Sequence, residues 1–256
     1  DASNISVRVE RGVSVASSAA RKAPRGTIFL DGAAQAEPFM DAAKKVFNLD
    51  HHEGCVRAFT LATCEQAMVL VLKGLDLDDE QWTVWVNEPD FDAVLALWLL
   101  LNHRRLTAEA GGVRARITPM VRLQGLIDAH GLELADLTGF PDDLQERTLE
   151  TINELRAREL ALKADGEWSS TDFLDYTRGA LQRLDGWVYT AADFQDHSEI
   201  EEVDRVRLSP QRLAIACSAE AGIYEVEEHL RGIHGERLGL VILRKDETTY
   251  TIRQSD

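Results

Sequence analysis

The chain is short of cysteine, with only Cys55, Cys64 and Cys217 among 256 residues. An odd, sparse set with no pairing pattern excludes a disulfide framework and is the usage expected of a reducing cytoplasm. There is no uninterrupted apolar run of about 18 residues, so no membrane partner is expected through a spanning helix. Positive charge is scarce as well: 28 Lys and Arg stand against 44 Asp and Glu, a formal net charge of −16. Tight binding to long nucleic acid rests on neutralising many phosphates with basic side chains, so that class of function is disfavoured. A small phosphorylated substrate is not excluded, because a bound metal ion reverses the local potential. Internal repeats and low-complexity tracts are absent, and no signal-peptide pattern follows Asp1.

What is present is ordinary core material. Apolar residues make up 45% and charged residues 28%, enough to build one large domain or two modest ones. Ile5-Ser-Val-Arg-Val9 alternates like a short strand. Residues 16–25 read as a loop, residues 26–30 as a buried strand ending at Asp31, residues 38–45 as a short helix, and Val46-Phe-Asn-Leu49 as a strand ending at Asp50. A helix is expected over 60–75, with Gly74 near its stop. Trp82-Thr-Val-Trp-Val86 is β-prone, Asn87-Glu-Pro-Asp90 is a turn, and residues 92–102 form an apolar helix for which Asp92 is a natural N-cap.

Further on, residues 117–129 suit a helix before Gly131. Residues 141–164 form a long amphipathic helix carrying Leu144, Leu149, Leu155, Leu160 and Leu162, which reads as a bridge between two halves. Another helix covers 171–184. The tail reads strand (212–217), helix (223–233), strand (238–244), strand (248–253). The fold class expected is α/β: a mainly parallel sheet with flanking helices, plus a smaller C-terminal α+β lobe. Residues 1–134 are assigned to a metal-binding domain, 135–165 to a linker helix and 166–256 to a substrate-binding lobe.

In an open α/β sheet, ligands gather beyond the carboxyl ends of the strands. Three expected strands end in carboxylates: Asp31, Asp50 and the Asp90/Asp92 pair. His51 and His52 follow Asp50 directly. A single aspartate at a strand end is usually a cap or turn residue, but Asp-His-His straight after an apolar strand is far less common. Adjacent imidazoles point in different directions, so one can ligate a cation while the other orients a ligand or meets substrate. Carboxylate with imidazole suits Mn, Fe or Zn. Two such ions, roughly 3.5–4 Å apart, would hold a phosphoryl group and activate water.

Val46-Phe-Asn-Leu-Asp-His-His52 resembles the signature of the DHH phosphoesterase superfamily. That superfamily includes single-strand exonucleases, oligoribonucleases, cyclic-dinucleotide phosphodiesterases, exopolyphosphatases and manganese-dependent inorganic pyrophosphatases. Ile28-Phe-Leu-Asp31 is similar to its single-aspartate motif. Thr60-Leu-Ala-Thr-Cys-Glu-Gln66 is similar to the helix start after the signature. Val86-Asn-Glu-Pro-Asp-Phe-Asp-Ala-Val-Leu-Ala96 is similar to its Asp-x-Asp motif. The likeness spans about residues 26–102. Two features depart from it. The Asp-x-Asp motif follows Asp-His-His instead of preceding it, as in a permuted sheet, and Val86 stands where the family carries a histidine.

The resemblance implies a role for each matching residue. Asp31 would be a bridging metal ligand, His51 a ligand that Asp50 supports or joins, and Asp90 and Asp92 ligands of different ions. His52, with Asp50, would act in catalysis, and His52 and Asn87 would meet the substrate phosphate. The cofactor implied is Mn2+ or another divalent cation, one or two ions, and the activity is metal-assisted hydrolysis of a small phosphoester or phosphoanhydride. A family member that binds a nucleotide or protein without turnover is the alternative. A further aspartate ligand is implied, for which Asp128 and His130 are candidates; the same pair also reads as a helix C-terminus capped by Gly131. His103 with Arg104 and Arg105 reads as a solvated helix end. Cys55 and Cys64 read as inert thiols more readily than as ligands. The family's Gly-Gly-Gly-His loop is absent. Its nearest counterpart, Gly232-Ile-His-Gly235, reads as a helix cap, and Arg231, Arg237, Arg244 and Arg253 either bind anions or balance acidic neighbours. The assembly carried as an expectation is a homodimer.

Overall fold

The computed structural model describes residues 3–108, 112–192, 200–219, 222–246 and 248–254. The chain divides into two compact units, Asp1–Thr107 with Ile117–Val188, and Ala108–Arg116 with Tyr189–Asp256.

The first unit is built on β1 (Ile5–Val9), β2 (Val15–Ala16), α1 (Ser17–Ala20), β3 (Thr27–Leu30), β4 (Ala34–Gln35), β5 (Phe39–Asp41), β6 (Val46–Leu49), α2 (Thr63–Leu72), β7 (Trp82–Val86), α3 (Phe91–Leu101), α4 (His103–Leu106), α5 (Gly112–His130), α6 (Asp142–Ala164) and α7 (Phe173–Ala192). The first residues of α5 and the last of α7 fall in the second unit. The main sheet has the order β1-β7-β3-β6-β5, parallel except at β5, and helices flank it. β3 and β6 are buried along their whole length. A parallel strand covered on both faces reads as an unbroken apolar run rather than an alternation, which is the pattern of Thr27-Ile-Phe-Leu30.

α3 is buried at ten of its eleven positions, as an all-apolar helix must be. Its N-cap is Asp90, whose Oδ1 accepts from Ala93 N at 3.0 Å. The cap therefore lies two residues before the expected one, and Asp92 is left free in the first turn for another partner. α6, expected as a bridge, lies within the first unit. The α6–α7 junction sits at the carboxyl edge of the sheet: Arg11 Nη2 donates to Thr171 O at 2.5 Å, and Trp168 Nε1 donates to Glu88 Oε1 at 2.6 Å in the turn before Asp90.

Two expectations fail locally. Residues 38–45 are not a helix. Phe39–Asp41 pairs antiparallel with β6, and the chain turns back at Lys45, where φ is 53°. So short a helix gains too little to offset nucleation, whereas the edge of β6 offers ready backbone partners. Residues 16–25, expected as a loop, include the end of β2 and the single turn α1.

The second unit holds β8 (Glu201–Ser209), β9 (Arg212–Ser218), α8 (Ile223–His234), β10 (Leu238–Arg244) and β11 (Tyr250–Gln254). Its sheet order is β11-β10-β9-β8, and two of its three pairings are antiparallel. Ile223, Val226 and Leu230 of α8 join Ile215, Cys217, Val241 and Leu243 in one core. β8 was not expected from the sequence. Its register shifts at Glu202/Asp204 and Arg207/Ser209 break the period-2 pattern that would have marked it.

Candidate metal centre

The register of three neighbouring strands places the site. Leu30 of β3 is level with Leu49 of β6 on one side and with Val86 of β7 on the other. Asp31 and Asp50 therefore leave the sheet at the same edge, on strands spaced roughly 4.8 Å apart. Asp31 N still donates to Leu49 O, at 3.0 Å, one residue beyond the strand. Asp31 then adopts φ 47°, a conformation uncommon for a residue with a Cβ and found preferentially at functional sites. From α2, Thr63 Oγ1 lies 3.1 Å from Asp31 Oδ1 and 3.2 Å from Leu49 O. From α3, Asp92 accepts from Thr63 N and Cys64 N, each at 2.9 Å, so both of its oxygens hold the N-terminus of α2.

His51 is fully buried at the centre. Its Nε2 faces three carboxylates: Asp128 Oδ2 at 2.9 Å, Asp31 Oδ1 at 3.6 Å and Asp92 Oδ2 at 3.7 Å. Neither ring nitrogen has an aligned hydrogen-bond partner, and Asp50 Oδ2 is likewise buried without one. Buried polar atoms in folded proteins are nearly always paired, so His51 Nδ1 and Asp50 Oδ2 without a partner, beside a ring nitrogen faced by three carboxylates, leave capacity for a further ligand. Asp50 Oδ1 is already committed: it accepts from His51 N at 2.7 Å and His52 N at 3.1 Å, and lies 2.8 Å from His52 Nδ1. Asp50 thus braces the two histidines. His52 is half-exposed, with Nδ1 also 3.5 Å from Asp31 Oδ1.

Two overlapping donor sets share His51, one with Asp31 and His52 and one with Asp92 and Asp128, the ligand atoms of each lying within 4.8 Å of one another. Buried acidic and imidazole groups from four separate elements thus converge where a divalent cation can sit. The mix of carboxylate oxygen and imidazole nitrogen fits such an ion.

The electrostatics follow from this crowding. Burial, with the charges of Asp31 and Asp128, pushes Asp92 up to about 7. Burial and the charges of Asp31 and Asp92 raise Asp90 well above the carboxylate range. Burial alone would lower His51, but Asp128, Asp31 and Asp92 outweigh it and raise the ring to about 10. His52 is raised, chiefly by Asp50. Burial would raise Asp128, yet His51 and Arg57 hold it below its ordinary value. These carboxylates crowd around one imidazole, and a divalent cation would relieve their mutual repulsion.

Of the residues expected at the site, Asp31, His51, His52, Asp92 and Asp128 converge as donors, and Asp50 supports them. Asp90 stands apart from both donor sets as the cap of α3. His130 does too. It ends α5 before Gly131 at φ 90°, the helix-terminus reading. Asn87 Oδ1 accepts from Gly12 N at 2.8 Å and ties down the β1–β2 turn. His103 is not a solvated end: it is buried, with Nε2 3.0 Å from Asp78 Oδ1. Cys64 Sγ turns toward Val121 O at 3.7 Å. In the second unit, Arg231 and Arg253 both pair with Glu227, and Gly235 follows α8 at φ 58°, as a helix cap does.

Three contributors carried no assigned role in the sequence, although Thr63 and Gln66 lie in the Thr60–Gln66 stretch that resembles the family's helix start. Thr63 and Gln66 act from the first turns of α2; Gln66 Nε2 donates to Asp50 O at 2.7 Å. Arg57 Nη2 lies 2.9 Å from Asp128 Oδ2 across 71 residues of sequence, a partnership only the tertiary fold reveals.

The chain matches no protein-family model, no curated protein and no solved structure. No helix among the described residues is long and apolar enough to cross a membrane.

Proposed function

We propose that this chain is a divalent-metal-dependent phosphohydrolase acting on a small phosphoester or phosphoanhydride, and a permuted relative of the DHH phosphoesterases. The observation that carries the reading is the convergence of Asp31, Asp92 and Asp128 on the buried Nε2 of His51. These four residues would hold one ion; where a second is bound, His52 would ligate it as the neutral imidazole, and otherwise His52 is left to meet the substrate phosphate. A divalent cation there supplies Lewis acidity toward a phosphoryl oxygen and lowers the pKa of water. Manganese fits the donor chemistry, and one or two ions fit the two overlapping donor sets.

The chain's own groups then have separate tasks. Asp50 fixes both histidines by accepting their backbone N–H groups. Its contact with His52 Nδ1 favours the protonated ring and leaves Nε2 to donate to a phosphate oxygen. Thr63 holds Asp31, and α2 is locked to Asp92, so the ligands rest on rigid elements. The net charge of −16 favours a small substrate over long nucleic acid.

The test is elemental analysis of the purified protein followed by a manganese-dependent screen against dinucleotides, cyclic dinucleotides, pyrophosphate and polyphosphate. Manganese-dependent release of phosphate or nucleotide, lost on Asp31→Asn, supports the reading. Absence of bound metal at saturating manganese contradicts it.

A second reading has one observation in its favour. Val86, at the place of the expected histidine, is buried in β7 and level with Leu30, an apolar position that no imidazole fills. A chain that binds metal and retains nucleotide without releasing product would be a non-catalytic relative.

A further inference from the structure

We infer that the loop between β6 and α2 is a nucleotide-recognition element, in which Arg57 meets the phosphate and Phe59 stacks on the base, so that the substrate is a nucleoside phosphate or short oligonucleotide. The inference deepens the phosphohydrolase reading and rests on it. Arg57 is the cation nearest the cluster in the loop that follows His52: its guanidinium lies 2.9 Å from Asp128 Oδ2, and the same oxygen lies 2.9 Å from His51 Nε2. About half of the Arg57 side chain faces solvent. Its planar fork suits bidentate contact with phosphate oxygens.

Phe59 is 92% exposed, the most exposed large apolar residue described, in a chain whose other phenylalanines mostly lie in the core. It is also held in place rather than loosely displayed. Phe59 N donates to Val56 O at 2.8 Å, Thr60 N donates to Arg57 O at 3.2 Å, and Thr60 Oγ1 donates to Val56 O at 3.1 Å. The turn Arg57–Phe59 is therefore closed by three bonds and presents its ring to solvent. Only Ala58 lies between Arg57 and Phe59, whose Cα atoms are therefore at most about 7 Å apart, so one nucleotide can reach both side chains. Val56 and Leu61 in the same loop are exposed as well. A base has a π-face for such a ring whatever its identity, whereas pyrophosphate and polyphosphate have nothing for Phe59 to touch.

The test is calorimetric titration of the full chain with manganese present, using 5′-AMP, ribose 5-phosphate and inorganic phosphate as probes. The wild type is expected to bind AMP about 5- to 150-fold more tightly than ribose 5-phosphate, the range of one base–aromatic stack. Phe59→Ala removes that preference and leaves ribose 5-phosphate affinity unchanged, while Arg57→Gln weakens all three probes. Retention of the manganese-induced rise in melting temperature in Phe59→Ala shows that the metal cluster is intact. Equal affinity for AMP and ribose 5-phosphate in the wild type overturns the inference, as does an AMP preference that survives Phe59→Ala. A loss of self-association in Phe59→Ala with nucleotide affinity unchanged also overturns it, and assigns the surface to a second copy of the chain. Hydrolysis of pyrophosphate without base preference sinks this inference alone. Base-dependent AMP binding with no manganese-dependent turnover of any phosphoester sinks the hydrolase reading alone.

Discussion

Replacing Asp92 by Asn separates the structural work of this residue from its place in the metal centre. Both Asp92 oxygens accept backbone N–H groups of α2 at 2.9 Å, inside a fully buried volume. Asn keeps one acceptor and sets an NH2 group against the other N–H, which costs about 1–3 kcal/mol for a buried donor left unpaired. Loss of the charge at the N-terminus of α2 adds roughly 0.3–1 kcal/mol. Against this, removing one carboxylate relieves repulsion from Asp31 and Asp128, the crowding that pushes Asp92 up to about 7. The metal-free variant should therefore melt only a few degrees below the wild type. The metal response is the decisive part. Manganese at 100 times its dissociation constant stabilises a binding-competent chain by about 2.7 kcal/mol, or roughly 5–10 °C for a chain of this size. Scanning fluorimetry should show that rise in the wild type and a rise below about 2 °C in Asp92→Asn. A full manganese shift in the variant would refute the placement of Asp92 in the donor set.

His51→Leu leaves three buried carboxylates without their imidazole and should lower metal-free stability by about 3–5 kcal/mol, read from the urea midpoint of the first unit; a loss under 1 kcal/mol, roughly a surface-site effect, would contradict the buried geometry. Burial pushes the Cys217 thiol up to about 11 and raises Cys64 well above the thiol range, so alkylation at pH 8 should label Cys55 alone in the native chain and all three cysteines in denaturant, as counted by mass spectrometry. Below pH 9 the Cys217 thiol is protonated in both folded and unfolded chains. As pH rises from 9 to 11 the unfolded thiol ionises first, so the second unit should lose stability in that window and not below it. Leu95→Ala in the fully buried α3 should cost about 2–5 kcal/mol through the cavity it leaves, with the manganese shift retained once folding is restored at lower temperature.

The α/β class was legible because its signals are local and strong. β3, β6 and β7 are short apolar runs with β-branched and aromatic residues, and α3 is too long and too apolar to be anything but a buried helix. The site was legible as far as strand ends carry it. Asp31 and Asp50 follow their strands directly, His51 comes next, and Asp92 lies in the first turn of the helix after β7; parallel pairing at matched register brings these strand ends together. Asp128 and His130 stood as an undivided pair because only the placement of α5 separates them: one meets His51, and the other ends the helix. The roles of Asp90 and Asp92 could not be told apart by the helix they precede, since either residue type caps. The partner that decides it, the start of α2, lies far off in sequence: Thr63 is 29 residues and Cys64 28 residues before Asp92. Arg57 carried no periodic or motif signal, and Thr63 only its place in the Thr60–Gln66 stretch, because their roles are contacts made in space. β8 escaped because bulges disrupt its alternation.

The most direct test is a crystal of the wild-type chain grown or soaked with manganese and measured for anomalous scattering. The account predicts a peak bonded to His51 Nε2 and to oxygens of Asp31, Asp92 and Asp128. A chain with no anomalous peak there at saturating manganese, or with the ion held elsewhere, would contradict it.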